Sequence, residues 1–269
     1  MVIVKSIISF FKDEGPLRAG SIAYFFLLSF VPFCLLLIAI FGYFLGEDRA
    51  FYDFFSARAM SFFPEATLGI SRGLAAIVTY KEIGVYSLAL YTYFSFLLYK
   101  SLESAIHALF REEARRSLIA SIFLSVLIIV SIALLIVISF VAVLFIRVFD
   151  VVLTDSTGLS LGAAGRLLIR FVIPICIVFL TASVLYALLP IKRVAFRNAM
   201  RGGFFTAIFL EAARHLFTIY IISVATEVGA IYGPLSSFVI FLLWVYYAAC
   251  IFLIGAEIVC VLETSERRL

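Results

Sequence analysis

From Ser121 to Phe145 the chain reads SIFLSVLIIVSIALLIVISFVAVLF, and no residue in that run carries a charge. Folded as a helix at about 1.5 Å per residue, the run is longer than the roughly 30 Å hydrocarbon core of a bilayer. In water a helix that is apolar on every side has nowhere to put its outer face. In lipid it has, because a helix bonds its backbone N–H and C=O groups within itself. Five other segments have a similar character, so spans are expected near 20–46, 83–104, 117–146, 166–189, 199–224 and 235–262. Composition agrees. Hydrophobic residues make up 65% of the chain and charged ones 14%, where a soluble domain is nearer half and a quarter. The expected fold is all-α: one polytopic membrane domain over residues 1–269, a six-transmembrane-helix bundle with no stretch left for a soluble domain of any size.

The segments outside the spans carry the topology signal. Lys5, Lys12 and Arg18 lie before the first span, Lys100, Arg111, Arg115 and Arg116 around the second loop, and Lys192, Arg193, Arg197 and Arg201 around the fourth. Arg267 and Arg268 follow the last span. The other loops and their helix ends hold fewer: Arg49, Arg58, Arg72, Lys81, Arg147 and Arg166. The richer side is expected to be cytoplasmic, which places both termini inside. MVIVKSIISFFKDEG at the start is too short and too interrupted for a signal peptide. Ile3, Ile7, Phe10 and Phe11 recur at helical spacing with Lys5, Ser9 and Lys12 turned away, the pattern of an interfacial helix; the alternative is an extension of the first span. Residues 47–82 are too long for a plain connector and read as amphipathic outer helices split near Pro64, either capping a cavity or resting on headgroups.

Several function classes are disfavoured. There is no GxxxxGK[ST], no GxSxG and no HExxH. The two histidines, His107 and His215, lie on different spans with no cysteine nearby, so no metal and no other cofactor is expected, and no catalytic residue is assigned. A nuclease needs carboxylates around metal ions in a water-facing site. Glu112 and Glu113 are the neighbouring pair in the cytoplasmic loops, and they read as an ordinary solvated turn among arginines. The basic residues are short topology signals rather than a nucleic-acid surface, so no nucleic-acid partner is expected. Cys34, Cys176, Cys250 and Cys260 all fall in apolar runs without a CxxC pair and read as small buried apolar residues.

What remains to explain is charge inside the membrane. FFTAIFLEAARHLFTIYI, residues 204–221, puts Glu211, Arg214 and His215 in the middle of an apolar run. An unpaired charge at that depth costs about 2.5–3.5 kcal/mol even on a mild scale. Ala199, Gly203, Ala207, Glu211 and His215 recur every fourth residue, and the small ones allow close helix approach. Arg214 and His215 are within pairing reach of Glu211 on one helix. Arg170 in the fourth span and Glu257 in the sixth join the set. Helix kinks are expected at Pro174 and Pro32, which free the carbonyls of Arg170 and Leu28, and at Gly233-Pro234 on entry to the sixth span. Two readings stay open: a polar pathway, in which arginine forks suit a phosphate headgroup, or ion pairs that only fix helix register. The aromatic runs FFLLSF and YTYFSFLLY are either a groove for lipid tails or packing belts.

Four stretches resemble the YihY/BrkB family of bacterial inner-membrane proteins. They are RAGSIAYFFLLSFVPFCLLLIAIFG at 18–42, LLYKSLESAIHALF at 97–110, LYALLPIKRVAFRNAMRGGFFTAIFLEAARHLFTIYI at 185–221 and AIYGPLSSFVIFLLWVYYAACIFLIGAEI at 230–258. His107 departs from the asparagine usual there, so no role is carried onto it. The resemblance implies six spans with both ends cytoplasmic in a bacterial inner membrane. It implies no catalytic residues, and the label ribonuclease BN that members have carried is generally regarded as a misassignment. Some members look linked to envelope lipid handling. The expectation is therefore a non-enzymatic protein that moves or flips an anionic lipid or other amphiphile, with membrane lipids and an envelope protein as its partners. The alternatives are a proton-linked small-solute or ion transporter using Glu211, and a non-transporting scaffold.

Overall fold

A computed structural model describes residues 2–45, 80–112, 117, 119–128, 131, 134–135, 138, 171–232 and 236–266. Among them every regular element is helical. The helices are α1 (Val2–Lys12), α2 (Gly15–Leu45), α3 (Tyr80–Leu109), α4 (Ile119–Ile128), α5 (Ile173–Leu188), α6 (Phe196–Tyr232) and α7 (Ser236–Glu266). Each expected span overlaps one of α2 to α7. By length and apolarity, two stretches among the described residues suffice to cross a bilayer, Gly15–Phe33 and Phe238–Glu266. Of the expected outer helices of 47–82, residues 47–79, with Pro64, lie outside the described residues, as do Arg170, Gly233 and Pro234, while 80–82 open α3.

α1 is a separate helix, not an extension of the first span. Glu14 takes φ 57°, a left-handed conformation that stops α1 before Gly15 opens α2. The glycine is required sterically, since a Cβ there would run into the Phe10 ring and the Phe10 carbonyl. That contact corrects one expectation about α1. Phe10 is buried with Ser6, and the apolar side left open is Ile3, Val4, Ile7, Ile8 and Phe11.

The chain forms two compact units. The first comprises residues 1–16, 103–213 and 250–269. Its core holds Ile106 and Leu109 of α3, Tyr186 of α5, Leu189 just beyond it, and Leu253 and Val259 of α7, all essentially inaccessible. Three glycines set how closely these helices pack. A Cβ on Gly202 would strike Val259, one on Gly203 would strike Ser183, and one on Gly255 would strike Thr206 and the Tyr186 hydroxyl. α5, α6 and α7 therefore meet at backbone distance, as small residues in membrane helices permit.

The second unit comprises residues 17–102 and 214–249. Aromatic rings join its helices: Phe30 of α2 lies 5.1 Å from Phe241 of α7, Phe33 lies 5.3 Å from Tyr91 of α3, and Phe217 of α6 lies 5.2 Å from Trp244. The Ser21 and Ser101 hydroxyls meet at 3.0 Å, joining α2 to α3. These aromatics pack ring on ring. Pro32 is buried inside α2, which continues past it to Leu45. Pro174 is the second residue of α5, directly after π-helical residues 171–172; the Arg170 carbonyl it was expected to free lies outside the described residues.

Candidate functional site

The ionisable stretch of α6 straddles both units, which divide between Ala213 and Arg214. Ala199, Gly203 and Ala207 are buried, Glu211 is half-buried, and Arg214 and His215 are exposed. Helix geometry explains the gradient. Four residues advance a 3.6-residue helix by about 40° beyond one turn, so five positions from 199 to 215 drift about 160°. The row begins on the packed face and ends nearly opposite. Arg214 and His215 are exposed, as are Leu216, Ile219 and Tyr220 on the same turns of α6.

A second set of charged groups lies at the helix ends of the first unit, and here sequence reasoning was wrong about Glu112. α3 ends in a Schellman turn: Arg111 N–H donates to Ala108 O at 3.1 Å, and Glu112 N–H to His107 O at 2.9 Å. Arg111 supplies the left-handed residue, at φ 51°. The turn carries Glu112 inward, and its side chain is only 2% exposed. Its carboxylate accepts the backbone N–H groups of Ile191 at 3.0 Å and Lys192 at 2.7 Å. It is a fastener for the α5–α6 connection, not a solvated turn. His107 Nε2 lies 3.6 Å from the same carboxylate, and among the described residues no group hydrogen-bonds it.

The other end of that connection is held by α7. Glu263 accepts the Ala195 N–H and, at 3.1 Å, the Asn198 amide. Asn198 is fully buried and also donates to Glu266 at 2.9 Å. Arg197 reaches Glu266 at 2.8 Å, and Arg201 donates to the Asn198 carbonyl oxygen at 3.0 Å. Glu266 lies past the expected span, and its carboxyl is held below its ordinary 4.5, first by the Asn198 hydrogen bond and then by that of Arg197. Deeper in, the Tyr186 hydroxyl lies 2.6 Å from Phe252 O and 2.7 Å from Thr206 Oγ1, which lies 3.0 Å from Gly202 O. Two hydroxyl protons serve three short contacts, a saturated node between α5, α6 and α7.

Glu257 is 1% exposed, the most deeply placed of the described ionisable residues singled out from the sequence. It lies beside Ser9 and Asp13 at the end of α1, with one carboxylate oxygen, Oε1, lacking a hydrogen-bond partner among the described residues. Asp13 in turn lies 3.6 Å from the Arg111 guanidinium. Cys176 is exposed rather than buried as expected, and Cys250 and Cys260 are half-buried. Among the described residues no three His, Cys, Asp or Glu converge as metal ligands would.

Comparison with known proteins bears on the whole chain. The profile of the family described as Virulence factor BrkB matches residues 7–268. A UPF0761 membrane protein of Rhodospirillum centenum is 28% identical over 272 residues, covering 97% of this chain and 57% of the relative. One from Psychromonas ingrahamii is 29% identical over 262 residues, covering 94% of this chain and 84% of the relative. A relative from Azotobacter vinelandii is 37% identical over 119 residues, 42% of this chain, and the alignment spans only 29% of that protein's length. No solved structure matches. With apolar helices and membrane-protein relatives along nearly its full length, this chain is an integral membrane protein and belongs to the BrkB family.

Proposed function

We propose that this chain is a six-span protein of the bacterial inner membrane, with both termini cytoplasmic, that moves or flips an anionic lipid or another amphiphile. The observation that carries the reading is the position of Arg214 and His215. Both are exposed, on turns of α6 where Leu216, Ile219 and Tyr220, side chains suited to lipid, are exposed as well. A solute pathway sealed from the bilayer favours charged groups turned inward; a lipid pathway favours a cation reachable from the side. A guanidinium there offers a two-pronged donor to a phosphate whose acyl chains stay in the membrane. Residue 214 also lies midway between Arg201 and Glu227, the charged positions that bracket the apolar part of α6.

The test is lipid movement in vesicles reconstituted with the full chain. Fluorescent phosphatidylglycerol and phosphatidylcholine are placed in one leaflet and their exchange is followed. Phosphatidylglycerol is expected to equilibrate faster with protein than without, and Arg214→Ala to slow it by at least tenfold, the loss of roughly one charge-assisted hydrogen bond. Arg214→Lys should fall between. If Arg214→Ala matches the parent, the pathway reading of α6 fails. A scaffold role is favoured instead by the carboxylate fasteners Glu112, Glu263 and Glu266. It predicts no lipid movement by the parent at all.

A further inference from the structure

In the first unit, a cleft of about 250 Å³ opens between the end of α3, the α5–α6 connection and the last turns of α7. At about 30 Å³ per water this is room for roughly eight waters, or for a phosphate with its first ester substituents. Its walls are Phe110, Lys192, Arg193, Val194, Cys260, Glu263 and Thr264. Lys192 is held in place there: its ammonium donates to the carbonyls of Phe110 at 3.2 Å and Arg111 at 3.4 Å. An ammonium has three N–H donors, so one is left over. Arg193, exposed on the same connection and already in contact with a partner of its own, adds a second cation whose guanidinium carries five N–H donors, more than one partner uses.

The acid in the wall leaves the lining with two cations against one anion: Glu263, which accepts from the Ala195 N–H and the Asn198 amide, offsets one of Lys192 and Arg193. The Thr264 proton is committed to Cys260 O at 2.8 Å, which leaves its oxygen as a spectator. The rest of the lining, Phe110, Val194 and Cys260, is apolar, a match for the carbon side of a phosphate ester rather than for a bare hydrated ion. The positive-inside count puts this connection on the cytoplasmic side, where anionic headgroups and soluble phosphate esters both reach it.

We propose that this cleft is a phosphate-ester site, in which Lys192 and Arg193 grip the phosphate and Phe110, Val194 and Cys260 receive its organic side. It rests on the reading above for what becomes of the ligand, not for its binding. The experiment measures binding alone, on the full chain in phosphatidylcholine nanodiscs doped with phosphatidylglycerol. Retained phosphatidylglycerol is counted by native mass spectrometry, with inorganic phosphate or glycerol 3-phosphate added as competitor. Arg193→Gln should cut retention several-fold, and Lys192→Gln with Arg193→Gln about tenfold, one bidentate contact. Arg197→Gln, whose partner is Glu266, should change it little. Because Lys192 also caps α3, thermal stability is read beside binding, and Arg193→Gln alone decides if the double variant is unstable. Competition by glycerol 3-phosphate would support a site open to soluble esters. Retention that resists both competitors yet falls with Arg193→Gln would support a lipid headgroup. Unchanged retention in a stable Arg193→Gln protein, or an equal loss in Arg197→Gln, would overturn the site while leaving the Arg214 pathway standing.

Discussion

Glu112 shows how one carboxylate can organise a connection. Its two oxygens accept the N–H groups of Ile191 and Lys192, and the side chain is sealed from solvent. Removing it orphans two donors, so Glu112→Ala should cost about 2–4 kcal/mol, read as a fall in melting temperature. Glu112→Gln keeps one acceptor oxygen and should cost less. If both variants melt with the parent, the fastening is unimportant. Glu266 gives the pH counterpart. Its carboxyl is lowered in the folded state, so the stabilisation is present above the unfolded value near 4.5 and is lost as pH falls through the lower folded value. Melting temperature should therefore drop on acidification below about 4.5, less steeply in Glu266→Gln than in the parent. A parent and a variant with identical acid limbs would remove Glu266 from the account.

At the scale of elements, glycine separates contact from mere helix content. Gly255 has the Thr206 and Tyr186 oxygens where a methyl would go, whereas a Cβ on Gly20 in α2 meets nothing within 4 Å. Gly255→Ala should destabilise by about 1–3 kcal/mol through overpacking. Gly20→Ala should be neutral or should stabilise by up to about 1 kcal/mol, since alanine is the better helix former. Equal shifts in melting temperature for the two would refute the packing described for α5, α6 and α7. The existence of the helices was legible because long apolar runs allow little else, and Gly15-Pro16 marked the end of α1. The inward turn of Phe10 was not, because helical spacing locates an apolar side but not the neighbour that takes it. Glu112 was missed for a related reason. Locally it stands beside Arg111, Arg115 and Arg116, while the amides it binds are 79 and 80 residues away. Asn198 likewise gains its meaning from Glu263 and Glu266, 65 and 68 residues on. The every-fourth-residue row in α6 was visible; its drift from buried Ala199 to exposed His215 follows from helix pitch.

For the molecule as a whole, the length of α6 constrains how the chain lies in a membrane. Its 37 residues make a rod of roughly 55 Å, against about 30 Å of hydrocarbon. Tilt absorbs part of the excess, and the remainder must stand in water at one end or both. The first turns are the natural candidate. Arg197 and Arg201 are bound there to Glu266 and Asn198, a network that requires hydration at its rim, with the Arg197 side chain 70% exposed. α7 ends in the same network through Glu266, so the start of α6 and the end of α7 must emerge on one side. On the positive-inside rule the cluster of Lys192, Arg193, Arg197 and Arg201 there is expected in the cytoplasm, as in the topology proposed above. Reporter fusions after Arg201 and after Arg268 should therefore both read cytoplasmic, and fusions near Thr157 and Glu227 external. The paired result matters most. Opposite readings at Arg201 and Arg268 would be incompatible with the hydrogen bonds between Asn198 and Glu266, whatever the number of spans. External readings at both would keep the packing and invert the protein, and Lys192 and Arg193 would then face periplasmic ligands.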